Sequence, residues 1–86
     1  MEKTVTVGSS FDTRTAAILV QTASKFTSKV YIRVEQRTAN AKSIMGIISL
    51  GITDGQQIQL IIDGDDERQA LSALEQFFLS ATLSPK

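Results

Sequence analysis

Three stretches of the chain alternate between polar and apolar residues, the pattern of a β-strand with one buried face. These stretches are Thr4–Val7, Lys29–Glu35 and Gln57–Asp63. Their buried faces would carry Val5, Val7, Val30, Ile32, Val34, Ile58, Leu60 and Ile62. A weaker strand is predicted around Ala39–Ala41, after a turn at Gln36–Thr38 that would fold it back as a hairpin partner. The pattern therefore predicts four half-buried strands.

Three other stretches repeat apolar residues at helical spacing. They are Thr13–Phe26, Ser43–Leu50 and the stretch after the turn Asp63–Asp65. Asp12 is placed to cap the first helix and Gly51 to end the second. Asp65 and Asp66 would open the third with negative charge at its N-terminus. The predicted buried stripes of the two long helices are Ala16, Leu19, Val20, Ala23, Phe26, Ala70, Leu71, Leu74, Phe77, Phe78 and Ala81.

The predicted order is β-α-β-β-α-β-α, which indicates a two-layer domain with helices packed on a sheet. The 86 residues suffice for one core, so we expect a single domain over residues 1–86. With 42% hydrophobic and 21% charged residues, the composition is typical of a globular domain.

The composition also excludes several chemistries. The chain has no His and no Cys, so it lacks imidazole ligands, thiolate nucleophiles and disulfides. Nine Lys and Arg balance nine Asp and Glu, which leaves no net charge to attract nucleic acid or a membrane surface. We expect no enzymatic activity, no cofactor, no metal and, without an apolar leader or span, a cytoplasmic location.

Two charged groups have ordinary explanations. Arg33 and Arg37 are interrupted by Glu35 and lack an aromatic platform, so a solvated face is favoured over a nucleic-acid surface. The acidic group Asp63, Asp65, Asp66 and Glu67 lacks the spacing of a calcium loop, and a turn before a helix explains it.

Ser43 stands where the short second helix begins. The simplest interpretation is a helix N-cap. The alternative is a phosphoacceptor, because a phosphoryl group would bring a charge of about −1.5 to −2 to a positive helix end. Backbone amides and Lys42 could receive that charge without unfolding the domain. Such a modification would act as a surface switch.

The apolar residues of this helix cannot all be buried equally. Ile44, Met45 and Ile48 can share one side, while Ile47 and Leu50 fall nearer the opposite side. Either all five fill the core, or the first three form a docking surface, called here the apolar patch.

Three segments carry a family resemblance. Lys42–Gly46 with Ser49–Gly51, and Val20–Phe26, closely resemble the HPr phosphocarrier family of the bacterial sugar phosphotransferase system. The resemblance covers the chain nearly end to end. It implies an α+β, open-faced β-sandwich in which three helices cover one face of a four-stranded antiparallel sheet. It also implies phosphorylation of Ser43 by HPr kinase/phosphorylase.

The family's phosphate-accepting histidine, in a Gly-Ile-His-Ala-Arg-Pro-Ala context, corresponds here to Asp12 within Ser10–Ala16. An aspartate would form an acyl phosphate and repel the incoming phosphate from enzyme I. Sugar-transport phosphotransfer is therefore not expected. Arg14 keeps the family's arginine, and Thr15 replaces a proline that favours helix initiation.

A serine kept without the histidine resembles the Crh branch of the family in Bacillus-type bacteria, which has glutamine at that position. The resemblance implies docking on the LacI-type catabolite control protein A through Arg14, Ala17, Ser43, Ile44, Met45 and Ile48. Asp12 adds charge to that surface, Ala17 lacks a hydroxyl common in HPr, and Ile48 stands where Met is usual. We expect these changes to lower affinity for that partner or to select another.

Three functions remain open at this point. The first is a non-catalytic corepressor in carbon catabolite repression, switched by phosphorylation of Ser43. The second is a phosphorylation-independent binding module in which Asp12 mimics a phosphohistidine. The third is a phosphocarrier that uses Asp12, assisted by Arg14. A homodimer through the edge strand Thr4–Val7 is also left open.

Overall fold

The computed structural model describes residues 1–8 and 11–83, with the side chains of residues 80–83 left out. The elements are β1 Glu2–Thr6, α1 Thr13–Ser24, β2 Lys29–Val34, β3 Arg37–Asn40, α2 Ile44–Leu50, β4 Gln57–Asp63 and α3 Glu67–Leu83. This order is the predicted one. The predicted burial of Ala81 lies outside the described side chains. Among the described residues, no helix combines the length and the apolar character that crossing a bilayer requires.

The four strands form one antiparallel sheet in the order β1-β4-β2-β3. In the register of β2 and β4, Val30 lies opposite Ile62 and Ile32 lies opposite Leu60. All four side chains are buried in one cluster with the apolar stripes of the helices. The predicted open-faced β-sandwich, with three helices on one face of the sheet, is therefore confirmed.

The turn between β2 and β3 comes earlier than predicted. Val34 pairs with Arg37, so Glu35 and Gln36 form a two-residue loop and Arg37 already belongs to β3. Glu35 adopts a left-handed conformation with a φ of 58°. Two-residue hairpin loops favour positive φ because it matches the twist of the strands. A glutamate gives no local sign of such a turn, and it continues the polar alternation of β2.

The start of α3 is tied to the segment before β2. The Asp66 carboxylate accepts hydrogen bonds from the backbone N–H groups of Thr27 and Ser28, both at 2.9 Å, and from the Ser28 hydroxyl. The Ser28 hydroxyl and then the Thr27 amide lower the pKa of Asp66 from 3.8 to about 2. The sequence pattern predicts that this carboxylate serves the N-terminus of its own helix, but its oxygens accept hydrogen bonds from a segment almost forty residues earlier.

Gly64 packs directly against Ser28, which takes part in the same contact. A Cβ atom at this position would lie 2.6 Å from the Cα of Ser28, which is closer than real Cβ atoms come. Ser28 is only 1% exposed, so it has no room to move aside. Gly64, Ser28 and Asp66 therefore join the loop before β2 to the loop before α3.

Asp66→Asn should reduce the sensitivity of the fold to acid. Because the pKa of Asp66 is lower in the folded state, its carboxylate stabilises the fold above pH 3.8, and this contribution is lost as the pH falls towards about 2. The variant should be less stable than wild type at neutral pH and lose less stability on acidification. Urea unfolding midpoints of both proteins, measured at neutral pH and at a pH near 2, give both effects.

Asp65→Asn is the matched control for this prediction, because the Asp65 side chain has no hydrogen bond or ion pair within residues 1–8 and 11–83. It should keep the wild-type loss of stability in acid. Equal flattening of the acid response in both variants would contradict the role given to Asp66.

Candidate functional site

Ser43 is an exposed N-cap. Its Oγ accepts a hydrogen bond from the Gly46 N–H at 3.2 Å, and its carbonyl accepts the Ile47 N–H at 3.0 Å. The predicted cap is therefore confirmed. The hydroxyl lies on the surface, and it donates to no acceptor in the part of the chain that the structure describes. A modifying enzyme can reach it.

The backbone around Ser43 is held on both sides. The Asn40 side chain accepts the Lys42 N–H at 2.8 Å, and the Asn40 carbonyl accepts the Ser43 N–H at 3.0 Å. A Cβ on Gly46 would lie 3.3 Å from the Cβ of Ala39, tighter than an ordinary contact. A small residue at position 46 thus allows α2 to start close against β3.

Lys42 does not point its charge at Ser43. Its Nζ donates to the carbonyl oxygen of Phe26 at 2.7 Å, just beyond the end of α1. A cation suits that place because backbone carbonyls at a helix end lack partners. This contact gives no support to the sequence-based expectation that Lys42 receives a phosphate on Ser43. The backbone amides at the start of α2 remain as the groups that could receive it.

The two sides of α2 differ in burial, as predicted. Ile47 and Leu50 are 1% and 3% exposed and belong to the core, whereas Met45 is 70% and Ile48 44% exposed. Ile44 is half-buried against the core. The reading in which all five residues fill the core is therefore wrong. The apolar patch lies on the surface directly after Ser43.

Arg14 and Ala17 are exposed on α1, which packs beside α2. They are three residues apart and so lie on the same side of their helix. Arg14 makes no ion pair with any described residue, and neither residue is hydrogen-bonded to Ser43. The guanidinium of Arg14 is therefore available to a binding partner.

Asp12 caps α1. Its Oδ1 accepts the Thr15 N–H at 2.9 Å and the Thr15 hydroxyl at 3.0 Å. These bonds, with a smaller effect from the charge of Arg14, lower the pKa of Asp12 below its usual value. The residue at the position of the missing histidine is thus an exposed, charged carboxylate with one oxygen already used by its own helix.

Asp12 and the apolar patch meet at a groove. The groove has a volume of about 210 Å³ and is lined by residues that include Asp12 and Ile48. A second groove of about 460 Å³ shares Asp12 and adds Asp54. No sequence signal marks Asp54 as a site residue, because Thr53-Asp54-Gly55 has the composition of an ordinary turn.

Comparison with known proteins identifies the family. The family model for the PTS HPr component phosphorylation site matches residues 1–80. The HPr-like protein Crh of Halalkalibacterium halodurans is 48% identical over 64 residues, which make up 74% of this chain and 76% of that protein.

Solved structures agree. HPr-C-His from Thermoanaerobacter tengcongensis superimposes with a TM-score of 0.94 at 39% identity, covering 100% of this chain and 99% of that one. Crh of Bacillus subtilis, whose crystal structure is an intertwined dimer with a swapped domain, gives a TM-score of 0.77 at 38% identity, over 88% of this chain and 87% of that one. These findings confirm the resemblance predicted from the sequence: the chain belongs to the HPr family.

Proposed function

We propose that this chain is a non-catalytic regulator of carbon catabolite repression. In this proposal HPr kinase/phosphorylase phosphorylates Ser43, and the modified protein acts as a corepressor of a LacI-type catabolite control protein A. The observation that carries the proposal is the exposed Ser43 hydroxyl, which directly precedes the apolar patch with its two exposed side chains, Met45 and Ile48. The similarity to proteins named HPr-like protein Crh supports it.

A phosphate on Ser43 would change charge while the fold stays intact. The Gly46 N–H already points at the Ser43 oxygen, and negative charge is favourable at the start of a helix. The phosphate would give a partner a charge-assisted contact, together with Arg14. The apolar patch would supply buried area, with Met45 as its most exposed side chain.

The same geometry argues against a phosphocarrier. The chain has no histidine, and Oδ1 of Asp12 is held by two hydrogen bonds from Thr15. An incoming phosphoryl group would meet a fixed like charge. We therefore propose that the acyl-phosphate route through Asp12 is not used.

A second candidate function is favoured by the permanent charge of Asp12. A carboxylate fixed at the start of α1 could stand in for a phosphohistidine and bind partners regardless of the state of Ser43. This binding module and the corepressor differ in one respect: whether capture of a partner depends on Ser43 phosphorylation.

Self-association through β1 forms part of the proposal. β1 lies at an edge of the sheet, where the backbone groups of its outer side can pair with another strand. The swapped, intertwined dimer of Bacillus subtilis Crh is a precedent in a relative. Sedimentation analysis over a range of concentrations would detect the dimer, and a single monomeric species throughout would refute it.

Incubation with HPr kinase/phosphorylase and labelled ATP should place one phosphate on Ser43, and the product should bind the catabolite control protein. Ser43→Asn should remain unlabelled while keeping the helix cap, because Asn is as good an N-cap as Ser. Ser43→Ala should also remain unlabelled and lose about 1 kcal/mol of stability. Mass spectrometry and urea unfolding measure the two effects.

Ser49→Ala is the matched control, because Ser49 is exposed on the same helix. It should be labelled as fully as wild type. Unlabelled wild-type protein, or label that survives in Ser43→Asn, would refute the proposal. Equal capture of partners before and after labelling would favour the binding module instead.

A further inference from the structure

Two grooves meet at the residue that replaces the histidine. The groove of about 210 Å³ lies between the start of α1 and the end of α2, and the groove of about 460 Å³ lies beside the loop before β4. Phe11, Asp12 and Ile52 line both of them. We call the combined depression the acidic groove.

The floor of the acidic groove is apolar and held in place by the core. Phe11 stacks on Phe78 with ring centroids 6.5 Å apart, and Ile52 is 6% exposed. Ile48 continues the apolar lining to the surface, where it is 44% exposed. A side chain that enters the groove therefore meets a preformed hydrocarbon surface.

The rim of the acidic groove carries two carboxylates. Asp12 offers Oδ2, which accepts no hydrogen bond from the described residues, since both bonds from Thr15 reach Oδ1. Asp54 is exposed and takes part in no hydrogen bond or ion pair within residues 1–8 and 11–83. No lysine or arginine is among the described residues that line either groove. The groove lining thus holds no cation opposite these carboxylates, and Arg14, whose charge helps to lower the pKa of Asp12, lies outside the lining.

We infer that the acidic groove binds a lysine or arginine side chain of a partner protein, presented beside an aliphatic residue. Such side chains combine an apolar stem with a cationic head. The stem would lie on Phe11 and Ile52, the head would reach Asp12 and Asp54, and the aliphatic neighbour would contact Ile48. An acidic partner loop would be repelled, so the groove selects partners by charge.

This inference rests on the proposed function only in treating this face of the molecule as the partner-binding one. It needs no phosphate on Ser43, so it can be tested on the unmodified chain. Failure of Ser43 labelling would leave it standing, and its own failure would leave the serine switch standing.

Three short peptides provide the test: acetyl-Leu-Arg-Leu-amide, the same peptide with norleucine in place of Arg, and the same peptide with Glu. Each is titrated into the ¹⁵N-labelled chain and followed by amide chemical shifts. We expect the Arg peptide to bind about threefold or more tighter than the norleucine peptide, since each exposed charge pair contributes a factor of about 1.5 to 5. We expect the Glu peptide to bind weakest, and the shifts to fall in residues 11–16 and 47–54.

The variant Asp12→Asn/Asp54→Asn should bind the Arg and norleucine peptides equally, with the fold intact because Asn also caps helices well. The control Asp63→Asn/Asp65→Asn removes the same charge from two exposed carboxylates, one at the end of β4 and one in the turn that follows it. It should keep the preference for Arg. Equal binding of the Arg and norleucine peptides to wild type, equal loss of preference in both variants, or shifts confined to other regions would each overturn the inference.

Discussion

The Gly64→Ala variant is expected to unfold at a much lower urea concentration than wild type, with a loss of about 3 kcal/mol in the free energy of unfolding. The added Cβ would lie 2.6 Å from the Cα of Ser28, a backbone atom that no side-chain rotation can move. Relief requires the loop before β2 to shift, which would weaken the bonds from Thr27 and Ser28 to Asp66. Urea unfolding followed by circular dichroism measures the loss.

Gly55→Ala is the control for this steric argument. Both glycines have a positive φ, 156° at Gly64 and 77° at Gly55, but a Cβ at Gly55 would meet no atom within 4 Å. It should therefore cost only the backbone penalty of a left-handed residue, about 1 to 2 kcal/mol. If the two alanine variants lost the same stability, the clash with Ser28 would not be the cause.

Under the proposed function, Met45→Gln is expected to weaken binding of the Ser43-phosphorylated chain to the catabolite control protein by about 30-fold. The Met45 side chain is 70% exposed in the free protein, and burying a methionine fully against a partner contributes about 2 kcal/mol. Glutamine has a similar length and no charge, so it removes the apolar contribution and leaves the phosphate unaffected. Isothermal titration calorimetry gives the two dissociation constants.

Leu79→Gln makes the same kind of change on α3, at an aliphatic side chain that is 58% exposed. It should change the dissociation constant less than twofold, as expected for a surface residue outside the interface. Neither variant should change the unfolding midpoint by much, because both side chains are largely in water. An equal loss of affinity in the two variants would show that the apolar patch has no special role.

The sequence was informative wherever structure depends on local periodicity. Alternation placed Ile58, Leu60 and Ile62 on one face of β4, and the structure buries all three. Helical spacing likewise separated Met45 and Ile48 from Ile47 and Leu50. In each case burial follows from the periodicity of a single helix or strand, so a pattern of a few residues is sufficient to predict which side chains are buried.

Contacts between distant segments were not predictable in this way. Asp66 accepts a hydrogen bond from Ser28, 38 positions earlier, and Lys42 donates one to Phe26, 16 positions earlier. The same holds for the acidic groove, because Asp12 and Asp54 meet only once α1 lies beside the loop before β4. The local sequence around an aspartate in a turn or a lysine in a loop is the same whether or not the side chain makes such a contact.

The sheet order also constrains how the chain folds during translation. β1 and β2 are not adjacent in the sheet, because β4 lies between them and pairs with both. β4 is also the last strand along the chain. While residues before Gln57 are being synthesised, β1 and the β2–β3 hairpin have no shared partner. The sheet can form completely only after β4 has left the ribosome, so until then β1 has no strand to pair with and the edge of β2 that β4 covers stays open.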